Sequence, residues 1–221
     1  MQKIGLFFGT FDPIHKGHLH LAEYYVNSTD LDSVMFVITP QNPFKQNSKI
    51  LSNKNRLELV SLAIKSDPKL QVSSIEFDLP PPNYTIQTLK KIKVYYPKDD
   101  FVLILGEDNL SSFDKWKDYS NILSDYELYV YPRRNNKAIP KNLKGHPKIK
   151  RSNAPQIEIS SSEIRKRIQK GEDVSKLIPK LSWSYLCLLY TSPSPRDQRG
   201  SRNPPSGLKK KRGGGGGGGG G

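Results

Sequence analysis

The chain has 221 residues, of which 35% are hydrophobic, and its formal net charge is +14 at pH 7. This length suffices for one domain with a buried core, and the sequence has no apolar stretch near the roughly 18 residues of a membrane span. So basic a chain favours nucleic acid or anionic lipid as partner. However, +6 of the charge lies after Lys180. The remaining +8 also suits a site for anionic phosphates, and a solvated basic surface explains most of the lysines.

The single cysteine, Cys187, lies beyond residue 180. Residues 1–180 therefore have neither a disulfide framework nor a thiolate metal site. The N-terminus passes from a lysine into a short apolar run and lacks the pattern of a signal peptide. We expect a cytoplasmic protein without a membrane partner.

Strand-like apolar runs alternate with helix-like segments along residues 1–180. The pattern predicts strands at 3–8, 34–39, 70–77, 101–105, 127–131 and 156–159. It predicts helices at 17–27, 54–65, 85–96 and 161–169, and Gly171 ends the last of them. This alternation indicates βαβ crossovers and an α/β fold with a mostly parallel sheet. Ligands bind such sheets at the carboxyl ends of the strands.

The composition changes abruptly after Lys180. Residues 181–221 hold a stretch rich in proline and serine, a Lys/Arg cluster at 209–212 and nine terminal glycines. No packed structure follows from that composition. We interpret this segment as a disordered, non-native read-through that replaces the final helix of a domain at 1–180. A natural basic tail that binds nucleic acid is the alternative.

The segment 9–18 (GTFDPIHKGH) directly follows the first predicted strand. Gly9 ends that strand and lets the backbone approach a ligand closely, and the Asp-Pro pair sets a turn. His15 and His18 are three residues apart, so a helix that starts here places them near one face. Imidazoles beside the N–H groups of a helix start can bind phosphate oxygens, which indicates phosphoryl chemistry. A zinc site is the competing interpretation, but no third ligand lies nearby.

A second candidate segment is 159–165 (ISSSEIR), which follows a short predicted strand and opens a helix. Ser160 and Glu163 fit a capping box, which is a structural role compatible with function. The N–H groups of this helix start, the serine hydroxyls and Arg165 can hold triphosphate oxygens.

The two segments resemble signatures of one superfamily. Residues 10–18 resemble the His-x-Gly-His signature of the nucleotidyltransferases, and residues 159–165 resemble their Ile-Ser-Ser-Thr-x-Ile-Arg motif, with Ser162 at the threonine position. The resemblance covers residues 1–180 and implies a Rossmann-like, three-layer α/β/α fold of the HUP type. It also implies attack by a phosphate group on the α-phosphate of a nucleoside triphosphate, with release of pyrophosphate.

Further stretches resemble the bacterial nicotinate-nucleotide adenylyltransferases: NYTIQTL at 83–89, GEDN at 106–109, FDKWKDY at 113–119 and NPFK at 42–45. This resemblance implies transfer of AMP from ATP to nicotinic acid mononucleotide in NAD biosynthesis, with Mg²⁺ accompanying ATP. It implies no nucleic-acid partner and leaves a homo-oligomer open. Two alternatives remain: another enzyme of the superfamily, such as a phosphopantetheine adenylyltransferase or a cytidylyltransferase, and, more distantly, a basic nucleic-acid-binding protein.

The resemblance also implies roles for individual residues. Those implied in catalysis are His15, His18 and Arg165. Those implied in ATP binding are Gly9, Thr10, Phe11, His15, His18, Gly106, Asp108, Ser161, Ser162 and Arg165. Those implied in binding the second substrate are Asp12, Lys45, Tyr84, Thr85 and Trp116, with weaker support for Arg133 and Arg134. A flat aromatic face suits an electron-poor pyridine ring, although Trp116 alone also fits a packing role and Lys45 a solvated surface.

Overall fold

One parallel sheet organises the molecule, whose computed structural model describes residues 1–40, 50–133 and 138–191. Within these residues, six strands run in the order β3-β2-β1-β4-β5-β6, and every neighbouring pair is parallel. The strands are β1 (Lys3–Gly9), β2 (Ser33–Ile38), β3 (Leu70–Ser73), β4 (Asp100–Gly106), β5 (Glu127–Tyr131) and β6 (Ile149–Arg151). The strand order reverses between β1 and β4, and an open parallel sheet offers a ligand crevice at such a point.

Helices cover both faces of the sheet and make three layers. They are α1 (Lys16–Ser28), α2 (Asn53–Ile64), α3 (Thr85–Tyr95), α4 (Glu107–Leu110), α5 (Tyr119–Asp125), α6 (Ser161–Gln169) and α7 (Lys180–Thr191). Because alternate side chains of a strand point to opposite faces, each strand feeds two cores. Phe36 of β2 joins the core under α1, α2, α6 and α7, whereas its neighbour Met35 joins the core under α3, α4 and α5. The predicted Rossmann-like α/β/α architecture is confirmed.

Two predicted strands differ from the structure. Residues 156–159 do not form a strand; the sixth strand is β6, which pairs with β5 through Leu128 and Ile149. This short edge strand continues with two exposed basic residues, so it has no apolar run to mark it. The predicted strand at 70–77 ends at Ser73, and a 3₁₀ turn follows at Ile75–Asp78.

A packed helix lies beyond residue 180, the C-terminal boundary that the sequence predicts for the domain. Lys180–Thr191 is a helix that packs on α2, and Leu186 is fully buried there. The buried hydroxyl of Ser182 donates to the Leu59 carbonyl of α2 at 2.8 Å. The packed structure therefore includes residues 181–191 of the predicted read-through, and residues 192–221 lie outside the described residues. None of the helices described is long and apolar enough to cross a membrane.

Candidate active site

The turn after β1 is tightly folded. Phe11 has φ +46°, which is uncommon for a residue with a bulky side chain. Asp12 is 1% exposed, and its Oδ1 accepts a hydrogen bond from the Leu51 N–H at 3.2 Å. Its Oδ2 is buried without a hydrogen-bond partner among the described residues. Asp12, expected in substrate binding, thus lies beneath the turn and not on its open side.

His15 and His18 are brought together as predicted. His15 precedes the first residue of α1 in an extended conformation, and the two rings stack with centroids 3.7 Å apart. The His15 backbone N–H donates to Nδ1 of His18 at 3.3 Å. The rings of Phe7 and Phe11 approach His18 edge-on, at centroid distances of 5.9 and 5.1 Å. His15 and His18 therefore form a packed imidazole stack near the carboxyl end of β1.

The environment keeps both imidazoles neutral at pH 7. Burial, and secondarily the positive charge of Arg133, lowers the pKa of His15 from 6.5 to about 3. Burial also lowers the pKa of His18 well below 6.5, and the charges of His15 and Arg133 act in the same direction. A neutral His18 whose Nδ1 accepts a hydrogen bond carries its proton on Nε2. His18 can therefore donate from Nε2.

Gly17 lets the chain before α6 come close to α1. A Cβ at this position would collide with Cγ2 of Ile157 and would lie only 3.0 Å from Nδ1 of His15. The close approach packs the Ile157 side chain against the start of α1. The glycine between the two histidines is thus a steric requirement for joining the two signature segments.

The start of α6 is bonded directly to the turn after β1. Ser160 caps the helix by accepting from the Glu163 N–H at 3.2 Å. Ser161 Oγ donates to the Pro13 carbonyl at 2.9 Å, and Arg165 Nη1 donates to the Asp12 carbonyl at 2.5 Å. The same Nη1 lies 3.6 Å from Asp12 Oδ2. The two segments, about 145 residues apart in the sequence, form one site.

Ser162 and Asp108 have open sides. Ser162 is exposed, and its hydroxyl accepts from Arg165 Nη2 at 3.3 Å. Asp108 follows β4 in the sequence. Its carboxylate packs so closely on Gly106 that a Cβ at position 106 would collide with it. The Asp108 Oδ1 lies 3.9 Å from Nε of Arg133. Asp108 thus lies beside the cation whose charge lowers the pKa of both histidines.

A cavity of about 180 Å³ opens beside this site. Its lining includes Tyr84, Thr85 and Trp116, which were expected to bind the second substrate, and Thr10, which was expected to bind ATP. The other lining residues are Phe8, Gly9, Thr39, Glu76, Asn83, Asn109, Ser112, Lys115 and Lys117. Lys117 Nζ lies 4.6 Å from the centre of the Tyr84 ring. Thr10 belongs both to this lining and to the turn that leads to His15, so the cavity and the histidine stack adjoin.

Sequence reasoning missed the buried carboxyl of Glu76 in this cavity. Glu76 is 2% exposed; its Oε1 accepts from Thr88 Oγ1 at 2.7 Å and its carbonyl accepts from Asn83 Nδ2 at 3.0 Å. Burial raises its pKa, which the hydroxyls of Thr88 and Thr39 partly oppose. The apolar residues next to Glu76 in the sequence indicate its burial only weakly, because a glutamate at this position also fits the solvent-facing side of a strand. It holds the loop before α3 that carries Tyr84 and Thr85.

Two predicted residues cannot be placed. Lys45 belongs to 41–49 and Arg134 to 134–137, and both segments lie outside the described residues. Sequence reasoning also missed Arg56, which is fully buried behind the turn after β1. A lone arginine on a predicted helix gives no sign that it is buried.

The fold and site define a nucleotidyltransferase. Residues 6–167 match the model of the cytidylyltransferase-like family. The chain is 48% identical over 185 residues to a relative in Christiangramia forsetii described as a nicotinate-nucleotide adenylyltransferase, covering 84% of this chain and 95% of the relative. A relative with the same description in Flavobacterium psychrophilum is 47% identical, covering 84% and 96%. The chain therefore belongs to the nicotinate-nucleotide adenylyltransferases of that family.

Solved structures share the fold. The Plasmodium falciparum nicotinic acid mononucleotide adenylyltransferase complexed with NaAD superposes with a TM-score of 0.71. The match covers 86% of this chain and 97% of the other at 22% sequence identity. At that identity the likeness concerns the fold alone.

Proposed function

We propose that the protein transfers AMP from ATP to nicotinic acid mononucleotide, giving deamido-NAD and pyrophosphate. A phosphate oxygen of the mononucleotide attacks the α-phosphorus of ATP, and the bond to the β-phosphate oxygen breaks. The observation that carries the proposal is the direct bonding of the α6 start to the turn after β1, next to the cavity lined by Trp116. This arrangement supports a triphosphate site beside an aromatic pocket. The reaction then depends on positioning and charge stabilisation.

The histidine stack is proposed to bind the reacting phosphates. His18 donates from Nε2 to an oxygen of the α-phosphate, where negative charge accumulates in the transition state. His15 fixes the tautomer of His18 through its backbone N–H and contacts the triphosphate through its ring. The neutral imidazole of His18 can donate to the phosphate without first taking up a proton.

The start of α6 is proposed to bind the β- and γ-phosphates. Its N-terminal N–H groups, that of Ser161 among them, and the helix dipole favour an anion. Ser162 and Arg165 add hydroxyl and guanidinium donors, while the Ser161 hydroxyl holds the helix start on the Pro13 carbonyl. Asp12 acts through Arg165, which it holds from beneath. The backbone of residues 9–11 approaches ATP from the other side.

The cavity is proposed to bind the pyridine nucleotide. Trp116 provides the stacking face, and Tyr84 and Thr85 at the start of α3 bind the ring substituent. Lys117, held over Tyr84, adds positive charge that suits the nicotinate carboxylate. Gly106 and Asp108, at the end of β4, contact the adenosine or the metal-linked network.

Mg²⁺ is proposed to accompany ATP. The described residues contain no group of three or more His, Cys, Asp or Glu side chains that could hold a metal. Mg²⁺ favours ligation by phosphate oxygens and water and needs few protein ligands. When bound, the ion would neutralise charge on the phosphates, while Ser162 and Arg165 orient them.

A panel of phosphate acceptors tests the proposal. Pyrophosphate release from ATP is measured with each of three acceptors: nicotinic acid mononucleotide, nicotinamide mononucleotide and phosphopantetheine. A fourth assay replaces ATP with CTP and supplies an acceptor of the cytidylyltransferases. We expect the highest kcat/KM with nicotinic acid mononucleotide. Preference for any other acceptor would assign the chain another reaction of the same class.

A further inference from the structure

Arg56 is an arginine of α2 with no exposed surface, and all five of its N–H groups have acceptors. Its Nε donates to the Leu51 carbonyl at 3.1 Å, and Nη2 donates to Asn53 Oδ1 at 2.6 Å and to the Pro40 carbonyl at 3.1 Å. Nη1 donates to the carbonyls of Thr10 at 2.6 Å and Thr39 at 2.8 Å. Burying a charge this deeply requires such complete hydrogen bonding.

The acceptors show what the guanidinium holds. Thr10 belongs to the turn after β1, and Thr39 and Pro40 belong to the loop after β2. Thr10 and Thr39 both line the cavity. One planar group, through Nη1 and Nη2, therefore sets the spacing of two loops at the carboxyl ends of neighbouring strands. Lysine could not reproduce this, because its ammonium offers three donors from one point.

The same contact fixes the orientation of a peptide group. In a trans peptide the C=O and the following N–H point in opposite directions. With the Thr10 carbonyl drawn towards Arg56, the Phe11 N–H points away from Arg56. Phe11 also has φ +46°, a conformation that persists only where its surroundings hold it.

We propose that Arg56 is a positioning residue for adenylyl transfer: it holds the loops after β1 and β2 at the spacing that ATP and the phosphate acceptor require. This inference rests on the proposed function and assigns Arg56 no contact with substrate. Without the hydrogen bonds of the Arg56 guanidinium, the cavity and the histidine stack still form but are misplaced relative to each other.

The test compares Arg56→Lys with Ser182→Ala. The control removes one buried hydrogen bond that joins α2 to α7 and involves neither of the two loops. For Arg56→Lys we expect kcat/KM to fall about 100-fold with both substrates, the scale of loss from an ångström of misplacement. Ser182→Ala should lower the Tm while leaving kcat/KM within about twofold, as for substitutions away from functional contacts.

Chemical rescue gives a readout that lost stability cannot imitate. Adding guanidinium ion to Arg56→Ala should restore activity about tenfold, the scale of one hydrogen bond to a charged group, whereas urea and sodium should not. Wild-type kcat/KM in Arg56→Lys, or a loss no greater than in Ser182→Ala at equal Tm, would overturn the inference. If Arg56→Ala does not fold, the Arg56→Lys comparison decides alone.

ATP binding separates this inference from the proposed function. It is measured by calorimetry on the full chain without an acceptor. Weaker ATP binding by Arg56→Lys than by Ser182→Ala supports the positioning role even if nicotinic acid mononucleotide proves not to be the acceptor. Equal ATP affinity in wild type and Arg56→Lys contradicts it, whatever the acceptor.

Discussion

The backbone N–H of His15 donates to Nδ1 of His18 at 3.3 Å while their rings stack at 3.7 Å. This relationship determines the tautomer of His18, because an Nδ1 that accepts a hydrogen bond leaves the imidazole proton on Nε2. It also places two imidazoles where charging one disfavours charging the other. A pair of neutral donors is therefore built into the start of α1.

Loss of the His18 ring should abolish most turnover. For His18→Ala we expect kcat to fall by a factor of about 10² to 10³, the usual cost of removing one donor to a developing oxyanion. His20→Ala is the matched control, since His20 is exposed on the same helix. Steady-state kinetics with an unchanged circular dichroism spectrum checks this. A kcat for His18→Ala equal to that of His20→Ala would remove His18 from the mechanism.

Stability should fall as pH drops below 6.5. The pKa of both histidines is lowered in the folded state, so the unfolded chain binds more protons in this window. Each histidine then costs up to about 1.4 kcal/mol per pH unit. Glu76 acts in the opposite direction, because its raised pKa means that the folded state takes up its proton first.

Urea unfolding at pH 7 and pH 5 measures this dependence. His18→Gln should show a smaller loss of the free energy of unfolding between the two pH values than wild type, since one titrating group is gone. Equal losses would show that His18 is not held neutral by the fold.

Trp116 should act on one substrate only. The chain has two tryptophans, so Trp183→Phe leaves Trp116 as the only one. In that variant we expect nicotinic acid mononucleotide to quench the fluorescence on stacking. Trp116→Ala should raise the KM for the mononucleotide about 10- to 100-fold, from a stacking energy of about 1–3 kcal/mol, with little change in the KM for ATP. Similar changes in both KM values would contradict the stacking role.

The helix α7 should be required for stability. Leu186→Ala should cost about 2–5 kcal/mol of the free energy of unfolding, as for other fully buried leucines. Leu181→Ala, a half-exposed control on the same helix, should cost no more than about 0.5 kcal/mol. A chain that ends at residue 191 should fold like the full chain, whereas one that ends at residue 180 should not. Equal Tm values for these two chains would restore the predicted boundary.

Much of the fold was predictable because buried parallel strands are apolar runs. The strands β1, β2 and β4 are such runs. The helix α6 is marked instead by its capping serine and by the glycine that follows it. The edge strand β6 escaped because two of its three residues are exposed and basic. The helix α7 escaped because the polar and glycine-rich residues after 191 dominate the composition of the C-terminus.

The candidate site was predictable to the extent that backbone topology determines it. The first signature segment follows β1, as expected, and parallel strands end at one edge of the sheet. The second follows residues that form no strand, and the hydrogen bonds of Ser161 and Arg165 join it to the first. The buried positions of Glu76 and Arg56 were not predictable, because a charged residue reads as exposed until its partners are known. Those partners come from other segments, such as Thr88 for Glu76 and Thr10 for Arg56.

Direct transfer of AMP between the two substrates is the central claim, and isotope tracing tests it most directly. The protein is given unlabelled ATP and nicotinic acid mononucleotide that carries ¹⁸O in its phosphate, and the products are analysed by mass spectrometry. We predict deamido-NAD that retains the label and an equal amount of unlabelled pyrophosphate. Release of free AMP without deamido-NAD, or label in the pyrophosphate, would contradict the claim.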